Sequence, residues 1–179
     1  MGKGIVEKLI KEFDVTVDWV GYELHPETPS AGKLLKSLVP GLDVEQMLIP
    51  LQTAGAPYGI TFNFEVIINS RLALEAGEFA REKGKFEEAH TRLFQAYFSE
   101  GQNIGEKAVV LKLLKEIGVE ESELNDALES HIYTPRLEQA RQSAQKHDIN
   151  VLPTFIFDGR QKIVGAQPYA VFQRALQKL

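Results

Sequence analysis

The chain contains no cysteine. Disulfide bonds, thiolate catalysis and zinc–sulfur sites all need that residue, so this sequence excludes all three. Thiol–disulfide exchange would require a thiol from outside these 179 residues.

Long apolar runs and basic clusters are missing as well. No run approaches the roughly 20 apolar residues that cross a bilayer, and Lys3, Glu7 and Lys8 interrupt the aliphatic residues that a secretory signal would need. Twenty Lys and Arg residues against 25 Asp and Glu residues give a net charge of −5. The composition therefore predicts a cytoplasmic protein with one core, which binds neither a membrane nor nucleic acid.

The polar residues show no catalytic or metal-binding pattern. The four histidines are far apart and have no metal-ligand spacing, which favours surface or capping roles; they are His25, His90, His131 and His147. Acidic pairs such as Glu87 and Glu88 are adjacent and diverge around a helix. We predict no catalytic residue, no metal site and no resident cofactor.

One segment near the C-terminus is more informative than the rest. In residues 151–159, with the sequence VLPTFIFDG, Pro153 precedes an apolar strand that ends at a turn. Proline cannot donate a hydrogen bond to a sheet, so it belongs at the first position of a strand, and only an X-Pro bond adopts cis at low cost. We expect a cis proline and a shaped loop here.

The order of elements follows from hydrophobic periodicity. We expect a helix over residues 4–13, a strand over residues 15–20, only helices over residues 30–148, a hairpin over residues 154–164 and a final helix after Pro168. Aromatic groups such as Phe94, Tyr97 and Phe98 are expected in the core, and Phe62 and Phe64 could line a groove.

This order, together with several short segments, resembles the DsbA-like thioredoxin fold, and specifically its FrnE-type subgroup. The segments are residues 22–26, 70–73, 92–98, 153–155 and 165–168. The resemblance implies an α/β fold in a single domain over residues 1–179. Residues 1–26 and 149–179 would form its thioredoxin-like part, and residues 27–148 a large all-helical insertion.

The resemblance also implies that one element is absent. In this family a Cys-Pro-Trp-Cys-like motif ends the first strand, and the helix that follows continues with a Gly-Lys pair. Here Gly2 and Lys3 stand at that pair, so the cysteines and their strand are expected upstream of Met1. That strand is central in the family's sheet, between the segments matching residues 15–20 and 154–157. We therefore predict an incomplete sheet, which favours association, for example as a homodimer.

Three functions follow from the resemblance. The first is a thiol–disulfide oxidoreductase that is inactive in this form, with an extended peptide or thiol substrate bound at Val151, Leu152, Pro153 and Thr154. The second is a relative of glutathione-dependent 2-hydroxychromene-2-carboxylate isomerases and kappa-type glutathione transferases, with glutathione as cofactor. The third is a non-catalytic peptide-binding module.

Overall fold

The structure, a computed structural model, describes residues 1–179. Nine α-helices and four short strands follow one another along the chain. In order they are α1 Gly2–Glu12, β1 Lys33–Leu34, α2 Leu35–Leu38, α3 Val44–Gly55, β2 Val66–Ile67, α4 Arg71–Glu82, α5 Phe86–Phe98, α6 Lys107–Glu116, α7 Glu121–Glu129, α8 Thr134–Lys146, β3 Thr154–Phe157, β4 Gln161–Val164 and α9 Tyr169–Leu176. A 3-10 turn, Ala56–Tyr58, follows α3.

Two hydrophobic clusters hold these elements together. The larger has 17 buried residues, most of them on α4 to α7, where apolar side chains recur at helical spacing. The smaller has only five, from α1, β4 and α9: Ile5, Leu9, Ile163, Phe172 and Ala175. Phe155 and Phe157 of β3 pack against the smaller cluster but stay partly exposed. The hydrophobic core beside β3 therefore contains far fewer buried residues than the core formed by α4 to α7.

The predicted hairpin is present. β3 and β4 pair antiparallel, with Phe155 opposite Ile163. Asp158 and Gly159 form the turn with φ of 47° and 67°, a left-handed conformation that glycine adopts freely and aspartate tolerates.

The predicted strand over residues 15–20 is wrong as a paired strand, because this segment forms no ladder. Its burial still alternates with period two: Val15, Val17 and Trp19 are partly buried, while the residues between them are exposed. The residue pattern thus produces an extended segment, but no strand lies beside it to accept its backbone hydrogen bonds.

The expectation that residues 30–148 contain only helices is wrong. β1 and β2 form a two-residue antiparallel pair, Lys33 with Ile67 and Leu34 with Val66. A strand of two residues is too short to produce the alternation of apolar and polar residues by which a strand is recognised in a sequence.

Candidate functional site

The predicted substrate-binding residues form a loop between α8 and β3. The Leu152–Pro153 bond is cis, the isomer expected for a proline at the head of a strand. Val151 and Leu152 are 45% and 43% exposed. The Thr154 hydroxyl donates to the Val151 carbonyl at 2.6 Å, and the Pro153 carbonyl accepts from the Gly165 backbone N–H at 2.8 Å. The loop is therefore fixed to the hairpin and exposes two aliphatic side chains.

The backbone of Leu152 is free within this loop. Neither its N–H nor its carbonyl makes a hydrogen bond within the chain. A peptide group with both polar atoms free, next to exposed apolar side chains, can pair with the backbone of an extended peptide.

The first turn of α1 lies directly against the loop. A Cβ atom at Gly2 would come within 2.9 Å of the Pro153 Cβ, closer than ordinary packing allows, so glycine permits this approach. No side chain caps the N-terminus of α1. Its unpaired N–H groups and its positive dipole end therefore lie beside Pro153.

The same turn of α1 contacts the helical part of the chain. The Lys3 ammonium lies 2.9 Å from a Glu7 carboxylate oxygen and 3.6 Å from one of Glu87, at the start of α5. A Cβ at Gly4 would meet the Tyr58 Cβ at 2.6 Å. The first turn of α1 thus contacts both the Pro153 loop and the helical part of the chain.

An aromatic row runs along the face of α5. Phe86, His90, Phe94 and Phe98 follow one another at four-residue spacing, which puts them on one side of the helix. The His90 ring centroid is 4.5 Å from those of both Trp19 and Phe94. Phe94 is 42% exposed, so its expected place in the core is wrong, whereas Phe62 is buried.

His90 departs from the expected surface or capping role. Burial lowers the pKa of His90 to about 4, and the positive charges of Lys3 and Arg81 act in the same direction. Its Nδ1 atom is buried without a hydrogen-bond partner. His90 lies four residues after Phe86 and four before Phe94, a helical spacing that the distances between histidines alone do not reveal.

The loop carries no group for acid–base or metal chemistry. Val151, Leu152, Pro153 and Thr154 have no titratable side chain, and no three acidic or histidine residues come together as metal ligands anywhere in the chain. The loop residues can therefore bind and orient a peptide, but they cannot transfer a proton or an electron.

The chain matches the DSBA-like thioredoxin domain over residues 1–177. It belongs to that family. The resemblance drawn from the sequence is therefore confirmed, together with the DsbA-like fold, and the absence of cysteine agrees with a missing C-x-x-C.

Several known proteins are similar to this family member. YwbO, an uncharacterized protein of Bacillus subtilis strain 168, is 35% identical over 183 residues, covering 98% of this chain and 88% of the relative. A probable DsbA oxidoreductase of Streptomyces coelicolor superposes with a TM-score of 0.88 at 22% identity, over 99% of this chain and 82% of that one.

Two further solved structures share the fold. A 2-hydroxychromene-2-carboxylate isomerase has a TM-score of 0.75 at 17% identity, over 98% of this chain and 86% of that one. The cytosolic disulfide reductase DsbM of Pseudomonas aeruginosa, solved with GSH, has a TM-score of 0.55 at 18% identity, over 83% and 82%. None of the helices of this chain is both long enough and apolar enough to cross a membrane.

Proposed function

We propose that this chain is the peptide-binding scaffold of a DsbA-family thiol–disulfide oxidoreductase. It holds an extended peptide or thiol substrate at Val151, Leu152, Pro153 and Thr154. Because the chain has no thiol, it does not catalyse exchange by itself.

The observation that carries this proposal is the free peptide group of Leu152. Its N–H and carbonyl lack partners, whereas the carbonyls of Val151 and Pro153 on either side accept hydrogen bonds, and the aliphatic side chains of Val151 and Leu152 are exposed beside it. Backbone pairing of this kind gives affinity without demanding one sequence, which suits a protein that acts on many polypeptides.

Calorimetry tests the binding. The probe is a peptide of about six residues with leucines on both sides of a serine, which replaces the reactive cysteine. We expect saturable binding that Leu152→Asp weakens about tenfold, because a charged group would then have to be desolvated beside the peptide. Ile132→Asp, at an exposed position between α7 and α8, adds the same charge outside the loop and should keep the affinity. Equal affinities of the two variants would contradict the site.

Two assays separate the proposal from its alternatives. With dithiothreitol as reductant, the chain should not accelerate insulin reduction above the uncatalysed rate; acceleration would require a nucleophile that the proposal lacks. Saturable binding of glutathione, with none of the peptide, would instead favour a relative of the glutathione-dependent isomerases. The FrnE-type subgroup and the cytoplasmic location stay predictions of the sequence.

A further inference from the structure

Residues 33–55, here called the α2–α3 arm, comprise β1, α2 and α3 and lie outside both hydrophobic clusters. α2 buries none of its side chains, and Val44 is the only apolar side chain of α3 that is buried. Large apolar side chains of the arm are exposed by about half: Leu34 (55%), Leu38 (46%), Val39 (52%) and Ile49 (54%). An exposed apolar patch of this kind marks a surface that binds a partner.

The arm is firmly attached to the rest of the chain. At the start of α2, the Leu35 N–H donates to the Glu65 carbonyl at 2.9 Å. Near the end of α3, the Gln52 side chain donates to the Phe62 carbonyl at 2.6 Å and accepts from the Phe62 N–H at 3.0 Å. Both helices are therefore fixed to the segment that follows them, and a partner would bind a surface that is already ordered.

The exposed side chains of the two helices lie on one part of the surface. Leu34 and Leu38 are four residues apart around α2, a spacing that puts both on the same side. Glu45 and Ile49 are four residues apart within α3 and share a side of it in the same way. The connection over residues 39–43 is short, so the end of α2 lies next to the start of α3.

The charges of the arm are complementary to one another. Lys33 and Lys36 lie on β1 and α2, whereas Asp43 and Glu45 lie at the start of α3. Asp43 accepts from the Gln46 backbone N–H. Lys33, Lys36 and Glu45 form no ion pair within the chain. A two-fold axis brings the basic part of such a surface against the acidic part of a second copy, so the arm is complementary to itself.

We propose that the α2–α3 arm is the interface of a homodimer, in which the arms of two copies pack against each other about a two-fold axis. The exposed apolar side chains form the centre of this interface, and Lys36 of one protomer lies against Glu45 of its partner at the rim. The arm contains none of residues 151–154, so this inference does not depend on peptide binding at the Pro153 loop.

Sedimentation velocity over a series of concentrations tests the interface. We expect the unchanged chain to sediment as a dimer at about 100 μM, and Leu38→Asp to raise the dissociation constant about a hundredfold, because the symmetric interface would then desolvate two charges. Ile132→Asp adds the same charge at an exposed position between α7 and α8 and should leave the dissociation constant unchanged. A chain that stays monomeric, or a dimer that both variants weaken equally, would overturn the proposal.

Two charge reversals test the two-fold arrangement. Lys36→Glu places two carboxylates together at each end of the interface, and Glu45→Lys places two ammonium groups there, so each variant alone should dimerise about tenfold more weakly. An equimolar mixture of the two variants should form a heterodimer as tightly as the unchanged chain, because both contacts then join opposite charges. Both positions are exposed, and equal thermal midpoints of the monomers confirm that the fold is kept. A mixture that associates no better than either variant alone would overturn the proposal.

Discussion

Two buried glycines, each inside a helix, should respond in opposite ways to a single methyl group. A Cβ at Gly4 would lie 2.6 Å from both the Cβ and the Cγ of Tyr58, atoms near the backbone that cannot swing aside. A Cβ at Gly77 would meet only the Phe86 ring, at 3.9 Å.

We therefore expect Gly4→Ala to destabilise the chain by about 1–3 kcal/mol, because overpacking outweighs the gain in helix propensity. Gly77→Ala should stabilise it by roughly 0.5–1 kcal/mol, since propensity acts there without a clash. Urea unfolding measures both. A stabilising Gly4→Ala would show that α1 and Tyr58 are not in close contact.

His90 should make the folded state sensitive to acid. Because the fold holds the pKa of His90 at about 4 against an ordinary 6.5, the unfolded chain takes up this proton more readily. The contribution of the neutral His90 to the free energy of unfolding is fully present above pH 6.5 and is lost as the pH falls toward 4. We expect this loss to be about 2 kcal/mol once the partial solvent access of His90 is allowed for.

The variant His90→Leu should lose less stability between pH 7 and pH 4 than the unchanged chain, measured by urea unfolding at each pH. His25→Leu, on the exposed connection after residue 20, is its control and should keep the full loss. If the two variants behaved alike, His90 would not be the group responsible.

At the scale of elements, α4 and α8 meet around a buried carboxylate. Glu75 on α4 is 1% exposed, and one of its oxygens accepts from the Thr134 hydroxyl at 2.9 Å. Thr134 is the first residue of α8, and its hydroxyl donates to Glu75 instead of capping the helix. Thr134→Val should cost about 1–3 kcal/mol in urea unfolding, because the carboxylate loses a donor that water cannot replace.

The matched change Thr91→Val removes a hydroxyl that donates to the Glu87 carbonyl on the exposed side of α5. Water can take its place there, so stability should change by less than about 0.5 kcal/mol. A similar cost for both threonines would mean that Glu75 does not depend on Thr134.

The elements that the sequence predicts correctly are those with local signals. Asp43 stands three residues before Gln46, a capping pattern that is visible in the sequence, and its side chain caps α3 by accepting from the Gln46 backbone N–H at 3.1 Å. The hairpin follows from its apolar run and its Asp-Gly turn. Residues 15–20 have an equally clear strand pattern but no ladder, because pairing needs a neighbour that periodicity within one segment cannot provide.

The loop of the candidate site could also be recognised from a local sequence signal. Residues 151–154 are contiguous, and a proline before an apolar strand is visible in the sequence. The approach of Gly2 to Pro153 and the packing of Trp19 on His90 join residues 71 or more positions apart, and no local pattern contains them.

At the scale of the molecule, one part is well packed and the other is open. The helices surround a cluster of 17 buried residues, whereas α1, the hairpin and α9 share five. The open part also contains the exposed Val151 and Leu152 and the free edge of β3. A well-packed helical part beside a two-stranded sheet with exposed apolar side chains suits the proposed scaffold for extended polypeptide segments.

The most direct test of peptide binding at the Pro153 loop is an NMR titration of the 15N-labelled chain with the serine-containing peptide. We expect the largest amide shifts at Val151, Leu152 and Thr154, with one saturation curve for all three. Shifts confined to the helices α4 to α8, or no shift at millimolar peptide, would contradict the proposed function.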